Sequence, residues 1–368
     1  MKLTRHRPDF VLLITVLLLV SSGLLNIYSA SMIWASEHLD KSPHYFFIRQ
    51  CLWAAVGLIA MVTVMNLPYW KWRDLLKWLI PASLVSLLLV FVFPKVGGAH
   101  RWIALGPVSF QPSELATLTV IVYLSHLVSK KHDQLADFKK GIVPPLVVIG
   151  LFAGLVLIEP AMDGASLLAV SGLAILFAGG TPGKHLAKIL LPSGLLAVAL
   201  VMLSDYRRAR LLAFLDPFSP ENIQYWGYQQ ANSLYAVASG GWTGRGLGRS
   251  IEKFLYLPEP HTDFIFAILS EEWGTLGGIL LIALFAVLII RGIRVASRLP
   301  DRFGALLAVG ITAMIGFAAL ANIGMVSAVL PVIGIPLPFV SYGGSSLLMK
   351  LIAMGLLLNL SRYTVEDA

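Results

Sequence analysis

The chain has 368 residues, 57% of them hydrophobic and only 13% charged, with a net charge of +8. A soluble domain carries about 25% charged residues, so this composition, with a mean hydropathy of +0.79, excludes an ordinary water-soluble enzyme. The positive charge does not indicate a nucleic-acid partner, because the basic residues cluster between apolar runs, as in loops that retain Lys and Arg at a membrane. The single cysteine, Cys51, cannot form an internal disulfide and points to no metal site.

Apolar runs of roughly 17–25 residues, the length needed to cross a bilayer, recur along the chain. They are continuous rather than alternating, which argues for helices over a closed barrel. Spans are expected near Phe10–Tyr28, Gln50–Leu67, Trp78–Phe93, Gln111–Leu127, Val143–Ile158, Gly164–Ala178, Leu186–Leu203, Phe264–Ile290, Phe303–Val329 and Gly344–Leu360. The first is too long for a signal-peptide core and reads as an uncleaved span. The expected fold class is all-α, a polytopic membrane protein with about ten transmembrane helices. One long extracytoplasmic loop, about residues 204–262, lies between helices seven and eight. The whole of 1–368 forms a single membrane domain.

Charge orients the bundle. With the N-terminus inside, the inner segments hold 17 basic residues: Lys2, Arg5, Arg7, Lys71, Arg73, Lys77, Lys130, Lys131, Lys139, Lys140, Lys184, Lys188, Arg291, Arg294, Arg298, Arg302 and Arg362. The short outer loops hold Lys41, Arg49, Lys95 and Arg101 alone. This asymmetry predicts two cytoplasmic termini and an outer long loop. The run Gly244-Arg245-Gly246-Leu247-Gly248 follows no strand, so turn-forming glycines are expected there rather than a nucleotide loop.

Ionisable residues at membrane depth are candidate functional groups. Glu114 opens the fourth span, where helix capping is an equal explanation. Asp163 lies near Glu159, and capping is favoured for it. Glu271 and Glu272 suit structural ion pairs as well as catalysis, and Lys350 needs a partner inside the tenth span. Asp263 follows a proline-stiffened approach, Leu257-Pro258-Glu259-Pro260-His261-Thr262, and is expected on the first turn of a long rigid helix at the interface. A carboxylate beside apolar surface has a raised pKa and suits a general base. His261 could orient a substrate or tune that carboxylate, although a surface histidine often does neither. The outer arginines, Arg101 and Arg245 among them, and Lys253 suit phosphate recognition.

Phe254–Ala267, carrying Leu257-Pro258-Glu259-Pro260-His261-Thr262-Asp263-Phe264, resembles the signature of the SEDS proteins (shape, elongation, division, sporulation). Arg101-Trp102-Ile103 with Phe110-Gln111-Pro112-Ser113-Glu114, Ser239-Gly240-Gly241-Trp242 with Gly246-Leu247-Gly248, and Pro336–Ser346 match other motifs of that family in order. The FtsW and SpoVE type is closer than the RodA type. The resemblance implies a peptidoglycan glycosyltransferase of the bacterial cytoplasmic membrane that polymerises lipid II at the outer face during division, elongation or sporulation. It implies a class B penicillin-binding protein and other division or elongation proteins as partners, and dependence on a divalent cation, Mg²⁺ or Mn²⁺. Asp263 matches the essential aspartate. Gln111, Ser113, Glu114, Glu259, His261, Ser341 and Tyr342 fall in shared motifs as substrate-binding or supporting residues. In this scheme Asp263 is the general base, and Arg101, Arg245 and Lys253 stabilise the departing pyrophosphate. No His or Asp cluster has ligand spacing, so the metal ligands are left open.

Two departures stand out. Thr117 occupies a position where the family usually has Lys. Glu159-Pro160-Ala161-Met162-Asp163-Gly164-Ala165-Ser166 replaces the family's usual Gln/Glu-Pro-Asp-Leu-Gly-Thr run with an extra residue and a displaced aspartate. A lipid II flippase and a non-catalytic scaffold activating a penicillin-binding protein are the alternative readings, the first supported by the depth of Lys350 and Glu272.

Overall fold

In the computed structural model, which describes residues 6–95, 98–106, 108–159 and 161–365, the chain is a bundle of long helices. Lys2, Arg5 and Pro160, which figure in the sequence reading, lie outside the described residues. The helices are α1 (Phe10–Leu39), α2 (Tyr45–Asn66), α3 (Lys71–Leu89), α4 (Pro112–Lys130), α5 (Val143–Ile158), α6 (Met162–Ala178), α7 (Gly183–Met202), α8 (Asp205–Leu215), α9 (Tyr228–Ser239), α10 (Ile265–Arg298), α11 (Arg302–Val326) and α12 (Gly344–Leu360). Seven apolar helical segments, containing α1, α2, α3, α5, α10, α11 and α12, are long enough to cross a membrane, and α6 is a shorter apolar helix. An apolar helix occupies each of the ten positions expected from the sequence, and among the described residues seven segments meet the length and hydropathy of a span.

Several helices outrun the expected spans. α1 continues eleven residues past Tyr28, α2 begins at Tyr45, and α10 reaches Arg298. Hydropathy marks only the stretch that must be apolar; helical hydrogen bonding continues into polar sequence beyond it. Caps set several ends: the Asp9 carboxylate accepts from Leu12 N–H, and Asp301 accepts from Gly304 N–H. Pro112 takes the first helical position of α4, where its missing N–H costs nothing.

α11 and α12 form the centre. Of their most apolar stretches 72% and 78% are buried, against 22–44% for the other candidate spans. α12 packs on α2, α10 on α11 and α1, and α4 and α6 on α11. Before α4, a short hairpin unforeseen in an all-α reading pairs β1 (Ile103–Leu105) with β2 (Val108–Phe110), antiparallel, Ile103 opposite Phe110.

The segments just inside the two ends lie together: His6 N–H donates to the Arg362 carbonyl, Asp9 N–H to Ser361 Oγ, and Val365 N–H to the Arg298 carbonyl at the end of α10. Asp263 precedes the other end of α10, a helix of 34 residues that spans up to roughly 50 Å at 1.5 Å per residue.

α10 is not one rigid rod. Gly274 has φ 71° and ψ −174°, which breaks the helix after Trp273. The glycine-rich loop fills the break. Arg245 and Gly246 N–H groups donate to the Glu271 and Glu272 carbonyls, and Thr275 and Leu276 N–H groups donate to Gly241 and Trp242 carbonyls. Backbone groups freed by the kink are thereby satisfied, as a buried site demands. A side chain at Gly274 would collide with the Gly244 nitrogen and the Trp242 carbonyl.

Candidate active site

Asp263 lies two residues before α10, on a loop held by three strong local ties. Asn322 Nδ2, fully buried in α11, donates to the Asp263 carbonyl at 2.7 Å and to the Ile335 carbonyl at 2.8 Å. Ser341 Oγ donates to the Thr262 carbonyl at 2.6 Å and accepts from Leu337 N–H at 2.8 Å. Tyr342 N–H donates to the His261 carbonyl at 2.9 Å. The loop before α10 and the segment 330–343 before α12 are thus one unit. Gln50 of α2 closes it, donating to the Ser341 carbonyl and accepting from Gly343 N–H, both at 3.3 Å.

Backbone strain gathers in the same unit. Leu255, Glu259 and Phe339 have φ of 70°, 54° and 66°, the left-handed region that costs residues with a Cβ roughly 1–2 kcal/mol. At Gly334, φ 80°, a Cβ would sit 3.3 Å from Asp263 Oδ2, so glycine allows this segment to approach the carboxylate.

The Asp263 carboxyl is pushed up to about 7, first by burial and then by Glu259 and Asp163, with Arg210 and Arg101 opposing. A carboxylate poised there can accept a proton near neutrality. Glu259 is exposed, and its carboxylate accepts from Thr262 Oγ1 at 2.8 Å. His261 is not on the surface: it is 2% exposed, within ring-contact distance of Trp34, Phe46 and Tyr342. Burial pushes its pKa down to about 4, which favours the neutral imidazole.

A small cavity, ≈ 20 Å³, lies beside this unit, bounded by Ile335 and Pro336 on one side and Gln111, Ser113, Glu114 and Asp163 on the other. Ser345 Oγ accepts from Gln111 N–H at 3.3 Å, joining the start of α4 to α12. Asp163, on the first turn of α6, is in electrostatic reach of Asp263, Arg101 and Glu114. The displaced aspartate of the altered segment therefore enters the site. Glu159, at the end of α5, is fully buried, and neither carboxylate oxygen has a hydrogen-bond partner among the described residues. Burial pushes it up to about 8 despite Arg101.

The structure separates Arg245 and Lys253 from this group. Arg245 Nε lies 3.5 Å from Glu271 at the kink. Lys253 is 1% exposed, and its ammonium donates to Glu272 Oε1 and Ser29 Oγ, each at 2.9 Å. Glu271 accepts from Ser250 Oγ and the N–H groups of Ile251 and Glu252. These charges clamp the long loop onto α10 and α1. The loop arginine that reaches Asp263 electrostatically is Arg210, whose guanidinium also donates to Gln229 at 2.7 Å. Lys350, without a nameable partner in the sequence, pairs with Glu114 at 2.9 Å.

Sequence reasoning missed Asn322, Gln50 and Arg210 as site residues. For Asn322 a signal existed, since an amide in an otherwise apolar helix must find partners. Arg210 lies among several loop arginines with nothing local to single it out.

Among the described residues, no group of three or more His, Cys, Asp or Glu could hold a metal ion.

A bundle of apolar helices with a strained, polar loop unit at one end defines a multi-pass membrane protein with its candidate chemistry at the bundle edge. The family model described as cell cycle protein, of the FtsW, RodA and SpoVE type, matches residues 9–366; the chain belongs to this family. Stage V sporulation protein E of Bacillus subtilis is 43% identical over 361 residues, covering 97% of this chain and 98% of that protein. A probable peptidoglycan glycosyltransferase FtsW of Geobacter metallireducens is 39% identical, covering 97% and 95%. A chain of a solved peptidoglycan synthase complex, described as coordinating polymerization and crosslinking, superposes with a TM-score of 0.81 at 29% identity, covering 98% and 99%.

Proposed function

We propose that this chain is a peptidoglycan glycosyltransferase that polymerises lipid II, with Asp263 as general base. The observation that carries the role of Asp263 is its seat: a carboxyl raised to about 7, fixed through its own backbone by Asn322, with Gly334 close beside it. In the proposed step the 4-hydroxyl of an acceptor GlcNAc attacks the anomeric carbon of the donor sugar. The new C–O bond forms as the bond to undecaprenyl pyrophosphate breaks, and the hydroxyl proton passes to Asp263. Arg101 and Arg210, both in electrostatic reach of Asp263, are placed to offset negative charge on the leaving group. The divalent cation would enter with the substrate pyrophosphate.

The relatives named as glycosyltransferases support the chemistry, and the matched synthase complex supports a class B penicillin-binding protein as partner. The adjacency of residues 6–9 and 361–365 and the 17 inner basic residues support a cytoplasmic location for both ends. The transporter reading loses its motive, because Lys350 and Glu272 are both locked in buried ion pairs.

Gel analysis of glycan made from lipid II tests the proposal, using the full chain with a class B partner and Mg²⁺ or Mn²⁺. Glycan that disappears with Asp263→Ala is expected. A folded complex that makes none is evidence for transport or scaffolding instead.

A further inference from the structure

Lys350, on the second turn of α12, is 2% exposed. Its ammonium donates to both oxygens of Glu114, at 2.9 and 3.1 Å, and to Ser346 Oγ. An ammonium has three hydrogens, so all three are engaged inside the protein. Lys350 is therefore not available to grip a substrate phosphate. Glu114 keeps acceptor capacity beyond Lys350, since a carboxylate offers about four lone-pair sites, and it lines the small cavity with Gln111, Ser113 and Asp163. A buried carboxylate without a counter-charge would neutralise or move.

Thr117 lines the same cavity one turn further along α4. Its hydroxyl turns back to the Ser113 carbonyl at 2.8 Å, and it is 1% exposed. Positions i and i+3 of a helix are side-chain neighbours. A lysine at 117 would therefore bring an ammonium to the same carboxylate from α4 itself, without crossing to α12.

We propose that Lys350 is a positioning residue for the reaction, supplying the fixed positive charge that pairs with the Glu114 carboxylate and holds it at the cavity beside Asp163. The site needs that charge at that point, not its origin on α12. This rests on the polymerase reading above. The rival is a purely structural pair that ties α4 to α12. The two separate on relocation: a pair within α4 restores the charge but not the tie between helices.

The test compares lipid II polymerisation and thermal unfolding for the parent complex, Lys350→Leu, Thr117→Lys/Lys350→Leu and Glu114→Gln/Lys350→Leu. Lys350→Leu is expected to lose about 100-fold in rate, the scale of a misplaced site group. The relocation variant is expected to recover to within about 10-fold of the parent while its unfolding midpoint stays low. The doubly neutral variant, which leaves no buried charge unpaired, is expected to fold and remain inactive. Parental rates in Lys350→Leu or in the neutral double variant overturn the proposal, as does a folded relocation variant no more active than Lys350→Leu. A parent complex that makes no glycan overturns the polymerase reading alone. The charge requirement is then read from lipid II binding by native mass spectrometry: the same ordering is expected, and parental binding by Lys350→Leu overturns it.

Discussion

The side-chain amide of Asn322 holds the backbone carbonyl of Asp263 at 2.7 Å and that of Ile335 at 2.8 Å. One buried residue of α11 thus fixes the candidate base against the segment that borders the cavity. Asn322→Leu keeps the volume and removes both donors. Each buried carbonyl left without a partner costs about 1–3 kcal/mol. A lower unfolding midpoint is expected, with a fall in polymerisation among the molecules that remain folded. Thermal unfolding paired with glycan gels checks both; a variant unchanged in each measurement contradicts this role.

Asp263→Ala removes the proton acceptor. A positioned general base contributes roughly 10²–10⁴-fold, so glycan synthesis should fall by at least that range while membrane insertion is unchanged. Insertion is read by fractionation, and activity by gel on the purified complex.

The pH dependence follows from the same carboxyl. A base titrating at about 7 is active once ionised, so kcat/KM should rise with pH through about 7 and fall below it. Stability has the opposite sign. The folded pKa lies above the ordinary 3.8, so the protonated form favours folding, and that contribution is lost as pH rises from 3.8 to about 7. Asp263→Asn should therefore be more stable than the parent at pH 8, with the gap closing toward pH 4. Melting curves across that range check the sign.

Gly274→Ala places a Cβ at φ 71° against the Gly244 nitrogen and the Trp242 carbonyl. The left-handed conformation alone costs about 1–2 kcal/mol, and the collision adds to it. A marked loss of folded protein in detergent is expected. Gly150→Ala, on an open face of α5, is the control and should be neutral or slightly stabilising.

Lys253→Met strands the Glu272 carboxylate, fully buried beside Ser29. Removing one partner of a buried pair costs about 3–5 kcal/mol. Lys253→Met/Glu272→Gln should recover most of that loss in a thermal double-mutant cycle. Additive losses would show that the pair does not anchor the long loop to α10 and α1.

The sequence alone determined the membrane class, the positions of the apolar helices and the family, through motifs such as the segment ending in Asp263. All three rest on local information: runs of apolar residues long enough for a bilayer, prolines before a helix, and motifs contiguous in the chain. Hydropathy could not place the helix ends, because backbone hydrogen bonding continues past Tyr28 and Ile290 where the sequence turns polar. It also could not show the break at Gly274, which depends on the distant loop 240–246 supplying partners for the freed backbone groups. The partners of charges were decided only by the tertiary structure. Lys253 and Arg245 read as outer-face cations, but α10 draws them to Glu272 and Glu271. Lys350 meets Glu114 across 236 residues. An ion pair is set by distance in space, and nothing in the linear spacing of two residues on different helices encodes it.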